Sequence, residues 1–153
     1  LINHFSISAD RMTGMLAGFK NLTLLEKSLD ASVVRREVIA NNIANVDVPG
    51  FKRSDVTFEA ELKRALDSQR SVAEDPPIAT LHKGHIAYRQ PRSIDSVKPM
   101  VHTDYNSSMR NDGNNVDIED EVMKMVRNQL HFSLIADRVS GKFQEWNSLI
   151  RMA

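Results

Sequence analysis

The chain contains no cysteine, which excludes disulfides and thiolate metal sites. It has no excess of either charge. Its 20 basic side chains are matched by 20 acidic ones, whereas a general polyanion binder needs a basic surplus. Aromatic residues make up only 6%, too few for a base-stacking platform. Long apolar runs are also missing. The run Met12–Phe19, MTGMLAGF, is flanked by Arg11 and Lys20 and falls far short of the ~20 residues that cross a bilayer. Its glycines and threonine dilute it as the core of a secretory signal. There is no P-loop, no G-x-S-x-G, no H-E-x-x-H and no G-x-G-x-x-G. His82 and His85 lack a third ligand at matching spacing, His102 being too far along the chain. The run Asp112–Asp117, DGNNVD, has glycine second and valine fifth, so it fails as a calcium loop. No catalytic residue, metal site or cofactor site emerges, and the expectation is that the chain is not an enzyme.

What is present is helical periodicity. Ile118, Val122, Met125, Gln129, Phe132, Ala136, Val139, Phe143, Trp146 and Ile150 recur at alternating spacings of four and three. This is a heptad seam of period 3.5, apolar everywhere but Gln129. As one helix it would be about 50 Å long. Its start is marked by Asp117 as N-cap and by Glu119, Asp120 and Glu121 in the first turn, where the helix dipole favours carboxylates. Gly141 inside the pattern suggests a kink or a close backbone approach.

A related seam runs through Leu22, Leu25, Leu29, Ser32, Arg36, Ile39, Ile43 and Val46, with Leu24, Ala31, Val34 and Val38 on roughly the opposite side. A helix apolar on two sides needs two partners. The C-terminal helix is one, and the second is expected from outside the chain. Arg36, inside the seam, is expected to pair across an interface, with Glu37 or a neighbour's acid as partner. Ordering a 33-residue helix costs entropy comparable to what one buried seam returns, so the terminal helices should become stable mainly on assembly. The expected fold is mainly α: long N- and C-terminal helices packed as an antiparallel coiled-coil-like pair around a short irregular middle. That middle holds a short helix, Val56–Gln69, and a candidate small β-hairpin drawn from Ile86–Tyr88 and Met100–His102. The organisation is a flexible extension at 1–20, a paired-helix core from 21–47 and 116–153, and a connecting region at 48–115.

The first helix ends unusually. VIANNIANVDVPGF, residues 38–51, spends three positions on asparagine, a poor helix former. Asn41, Asn42 and Asn45 share one side, opposite Ile39 and Ile43. Each carboxamide both donates and accepts, so this edge can be buried without the desolvation cost of a charge, provided its bonds are met. Val48 precedes proline and leaves the α region, Pro49-Gly50 suits the centre of a type II turn, and Phe51 re-anchors the chain.

Residues 40–51, ANNIANVDVPGF, closely resemble the signature of bacterial flagellar basal-body rod proteins. LEKSLD at 25–30, Arg36-Glu37, FKRSDVTFEAEL at 51–62 and DGNNVD at 112–117 strengthen the likeness, which spans about 22–66 and 110–153 and is greatest to the proximal rod member. Family members begin close to the first helix, so residues 1–14 read as an extension or a wrongly assigned start. The resemblance implies a structural subunit of the proximal rod, assembling with copies of itself and related rod proteins into a hollow drive shaft that transmits torque. It implies inner-membrane ring and rod-adaptor proteins as partners at the base, and export through the flagellar type III apparatus without a cleaved signal peptide. The location implied is the basal body, where the rod crosses the periplasm, with no nucleic acid and no direct membrane insertion. Residues expected at subunit contacts are Asn41, Asn42, Asn45, Pro49, Gly50, Phe51 and Arg36, with Ile118, Val122, Met125, Phe132, Val139, Phe143, Trp146 and Ile150 as the packing seam. The alternative is a soluble coiled-coil adaptor that binds a single helical partner.

Overall fold

The computed structural model describes residues 2–74 and 91–152, with side chains at 18, 20–73 and 91–152. His82, His85 and the extended segment expected at 86–88 lie outside the described residues. The elements are α1 (Ile2–Ala44), β1 (Ser54–Thr57), α2 (Glu59–Glu74), a 3₁₀ turn (Ile94–Ser96), β2 (Met100–Thr103) and α3 (Ile118–Met152).

Helix α1 has 43 residues, about 65 Å at 1.5 Å per residue. It runs through the stretch that sequence comparison sets apart as an extension, because no proline interrupts residues 2–44 and glycine stands only at 14 and 18. Its end follows from chemistry already visible in the sequence. The Asn45 N–H is shared between the carbonyls of Asn41 and Asn42, 3.2 Å from each, and the Phe51 N–H closes a turn on the Val48 carbonyl at 3.2 Å. Gly50, third residue of that turn, has φ +71°, the left-handed value a type II turn requires there.

Helix α3 lies against α1. Glu121 contacts Asn42 and Asn128 contacts Ser32, so partner numbers rise along one helix as they fall along the other, and the pair is antiparallel. Asp117 caps α3 as its sequence suggests: Oδ1 accepts from the Glu119 N–H at 2.9 Å and the Asp120 N–H at 3.4 Å. Gly141 is not a close-approach site, because a Cβ there would meet nothing within 4 Å among the described residues.

The middle region is more organised than its composition indicates. Strands β1 and β2 pair antiparallel, Ser54 with Thr103 through Thr57 with Met100. They form no hairpin with each other, since α2 and the 3₁₀ turn lie between them in the chain. β2 coincides with the expected extended segment, but its partner is a four-residue stretch whose polar residues hide the strand. Only Val56 of β1 points inward. Phe58, Ala65 and Val97 form a buried cluster with Ala31 of α1, and Leu62 packs on it. The second apolar side of α1, expected to await another subunit, is therefore met in part by its own chain. Burying Phe58 is worth about 1.5–3 kcal/mol, so this cluster ties the middle region firmly to the helix pair.

Candidate functional site

The two motifs that end α1 and begin α3 meet at one joint, and asparagine builds it. Asn42 is buried and uses its whole carboxamide. Oδ1 accepts the Ser54 N–H at 3.0 Å. Nδ2 donates to the Ser54 carbonyl at 2.8 Å and to Glu121 Oε2 at 2.9 Å. A carboxamide is a peptide group on a side chain, so Asn42 pairs with the edge of β1 as a neighbouring strand would. This also accommodates Glu121, which is buried despite its charge. Its second oxygen accepts from Lys124 Nζ at 2.9 Å, and Arg53 Nε lies 3.8 Å away. A buried carboxylate survives only with such partners. Lys124 also reaches Asp120, at 2.6 Å. Burial works against the Lys124 charge, but its hydrogen bonds to Asp120 and Glu121 outweigh it and hold its pKa above the ordinary lysine value. The same Lys124 bond lowers the pKa of Asp120.

The other half of the joint is DGNN, residues 112–115 closing onto the end of α1. The last carbonyls of a helix have no partner within it. Asn114, fully buried, supplies one: Nδ2 donates to the carbonyls of Asn45, Val46 and Val48 at 3.1, 2.9 and 2.9 Å. Its Oδ1 accepts the Val116 N–H at 2.7 Å. Arg110 adds a bond to the Val46 carbonyl at 3.0 Å. Asn115 accepts the Arg53 N–H at 2.6 Å and donates to the Asp104 carbonyl and to Ser107 Oγ, each at 2.9 Å. The Gly50 N–H bonds the Asp112 carbonyl at 2.9 Å. Gly113, at φ +80°, sits so near that a Cβ on it would lie 3.8 Å from the Gly50 Cα. Sequence periodicity gives no warning of Asn114, Asn115 or Glu121. The signal that was available is the second pair of asparagines in a turn that a helix N-cap alone does not require.

Of the other motif residues, Asn41, Pro49 and Gly50 are exposed, while Asn45 and Phe51 are half-buried. Asn45 Nδ2 donates back to the carbonyl and Oδ1 of Asn41, both at 2.7 Å. Arg36 is exposed and has no ion pair among the described residues.

Helix α3 divides the expected seam in two. The side toward α1 comprises buried Glu121, Asn128 and Ile135 with half-buried Met125, Phe132, Val139 and Trp146. The period of 3.5 holds, but its other row is shifted by one residue. Ile118, Val122, Phe143 and Ile150, from the expected row, stay exposed. Phe143 meets Trp146 edge-on, ring centres 5.7 Å apart. A further stripe, Met123, Val126, Leu130 and Leu134, is exposed at spacings of three, four and four, with Leu130 at 66% and Leu134 at 62%. These four are neighbours on the helix surface and lie on the side away from α1. Among the described residues no group of His, Asp and Glu is placed to hold a metal, and no helix is long and apolar enough to cross a membrane.

Comparison with known proteins gives this joint a context. Residues 29–52 match the family model described as flagella basal body rod protein. The flagellar basal body rod protein FlgB of Borrelia hermsii is 40% identical over 131 residues, covering 86% of this chain and 96% of that protein. The chain belongs to the FlgB family of flagellar basal body rod proteins. FlgB of Borreliella burgdorferi is 34% identical over 135 residues, with 86% and 96% covered, and FlgB of Bacillus subtilis is 30% identical over 126 residues, with 82% and 89% covered. The stretch that matches the rod-protein model includes the last four turns of α1, the asparagines and the Pro49-Gly50 turn. In this member of the FlgB family it is the α1 half of the joint.

Proposed function

We propose that the chain is a structural subunit of the proximal rod of the flagellar basal body, assembling with copies of itself and related rod proteins into a hollow shaft that transmits torque. Family membership supports the rod, and the observation that carries the assembly is the outer side of α3. Val122, Met123, Val126, Leu130 and Leu134 form an apolar face that the described residues leave uncovered. An apolar surface of that continuity marks a contact. In this reading the exposed half of the seam, Ile118, Val122, Phe143 and Ile150, and the exposed part of the joint, Asn41, Pro49, Gly50 and Arg36, face neighbouring subunits. The half-turned-in residues Met125, Phe132, Val139 and Trp146 hold α1. Asn42 positions the contact from within the subunit, while Asn45 and Phe51 shape its edge.

The subunit performs no catalysis. It reaches the rod through the flagellar type III export apparatus without a cleaved signal peptide, and meets inner-membrane ring and rod-adaptor proteins at the base. Replacing Leu134 by Asp tests the packing. The position is exposed, so the isolated variant keeps its helix content and melting temperature within about 2 °C, because surface changes cost roughly 0.5 kcal/mol or less. Its amount in purified basal bodies should fall at least tenfold. Normal incorporation would show that this face is not a subunit contact.

A further inference from the structure

A second surface differs in character from the apolar face. Arg35, Glu59, Lys124, Arg127, Asn128 and His131 line a cleft of about 330 Å³ where α1, the start of α2 and α3 meet. Two of its cations are already matched. Arg35 Nη2 binds Glu59 at 2.8 and 2.9 Å, and Lys124 binds Asp120 and Glu121. Arg127 and His131 have no salt bridge among the described residues. The cleft also contains an unmet acceptor. Asn128 is 5% exposed, and its Nδ2 donates to the Ser32 carbonyl at 2.8 Å. That bond fixes which end of the carboxamide is nitrogen, and it leaves Oδ1 buried with no partner among the described residues. A buried acceptor without a donor costs about 1–3 kcal/mol.

The cleft therefore asks for two things at once, a carboxylate for Arg127 and an N–H for Asn128 Oδ1. A bare anion such as sulfate supplies only the first. A peptide turn carrying an acidic residue supplies both. Acidic residues beyond the first turn of a helix have their N–H groups committed to the helix. Asp47 does not. It lies in the turn after α1, its side chain is 90% exposed, its one ion pair is a loose 3.5 Å contact with Arg110, and its N–H has no hydrogen bond among the described residues.

We propose that the cleft receives the Asp47 turn of a second copy of this chain, with the carboxylate on Arg127 and His131 and the backbone N–H on Asn128 Oδ1. The two surfaces are different parts of the molecule. Residue 47 is about 12 positions from residue 35 along the chain, roughly 18 Å in helix length. Because donor turn and receiving cleft are different parts of the molecule, the contact can repeat from copy to copy in one direction, as a ring or a helical array requires. The inference rests on the rod reading.

The test is charge exchange in cells that carry only the altered chain. Asp47→Arg and Arg127→Glu each place like charges in the contact, and each should lower the amount of chain in purified basal bodies at least tenfold. The double variant restores opposite charges and should recover to within about twofold of the parent. Arg127→Lys should incorporate normally. Melting temperature and helix content of each purified variant serve as the folding check; if a reversal variant fails it, the neutral pair Asp47→Asn and Arg127→Gln replaces it, each expected to lose incorporation by itself. Single variants that incorporate like the parent, or a double variant no better than the singles, overturn the cleft assignment. If the parent chain itself is absent from purified basal bodies, the rod reading fails instead.

Discussion

Asn42→Ala is the sharpest test of how the joint is held. The substitution leaves helix propensity improved, because alanine is the best helix former and asparagine a poor one, so any loss must come from tertiary contacts. Three are removed. The bond to Glu121 Oε2 at 2.9 Å involves a buried carboxylate and is worth about 1.5–3 kcal/mol. The two bonds to the Ser54 backbone, at 2.8 and 3.0 Å, are neutral and worth about 1 kcal/mol each. Set against roughly 0.5 kcal/mol of propensity gained, the net loss should be about 3–4.5 kcal/mol. For a chain of this size that lowers the melting temperature by roughly 10 °C. The assay is urea denaturation of the purified chain followed by helix signal, with Asn41→Ala as control. Asn41 is an equally poor helix former one residue earlier in the same motif, but it is exposed, so its replacement should be neutral or slightly stabilising. Should Asn42→Ala lose less than about 1 kcal/mol, the carboxamide is not what binds the two motifs, and Glu121 must be held by Lys124 and Arg53 alone.

Further outcomes follow from the same contacts. Asn114→Ala removes the donor shared by three carbonyls at the end of α1 and should cost about 2–3 kcal/mol, with amide exchange accelerated at residues 41–51 more than in mid-helix. Gly50→Ala forces a Cβ into the left-handed region at φ +71° and should cost about 1–2 kcal/mol, read from the same urea curve. Stability should form a plateau in pH. Burial opposes ionised Glu59, but its bonds to Arg35 prevail and depress its pKa below 4.5, so its contribution is present above that value and is lost as pH falls through the depressed one. Lys124, raised above 10.5, contributes below that value and stops contributing as pH rises through the elevated one. Arg35→Met should flatten the acid side of the melting-temperature profile and leave the alkaline side unchanged.

Features whose cause lies within a few neighbouring residues were legible in the sequence. The Asp117 cap, the acidic first turn of α3, the Pro49-Gly50 turn and the long helices all depend on local backbone preference. The phase of the α3 seam was not. Its period of 3.5 is correct, but glutamate and asparagine read as surface positions unless their partners are known, and Glu121 and Asn128 find theirs 79 and 96 residues away. Val122, Phe143 and Ile150, from the row that looked more apolar, are left outside, as is Ile118 at the start of the other row. β1 was hidden for a similar reason. Four residues, two of them short and polar, carry little strand propensity, and the strand exists because Asn42 closes one edge and β2 the other. Of the three asparagines read as one polar edge, Asn42 alone is buried, and nothing local indicates that it satisfies its valences inside its own subunit.

A clasp assembled from amides has one consequence that an ionic clasp would lack. Carboxamides neither gain nor lose protons across the range in which proteins fold, and salt barely weakens a neutral hydrogen bond. The hold of Asn114 and Asn115 on the end of α1 and on the Arg53 backbone is therefore indifferent to brine and to moderate acid. Surface ion pairs such as Arg64 with Glu61 loosen in the same conditions, so a subunit exposed to concentrated electrolyte loses its surface charge contacts first and the geometry at the end of α1 last.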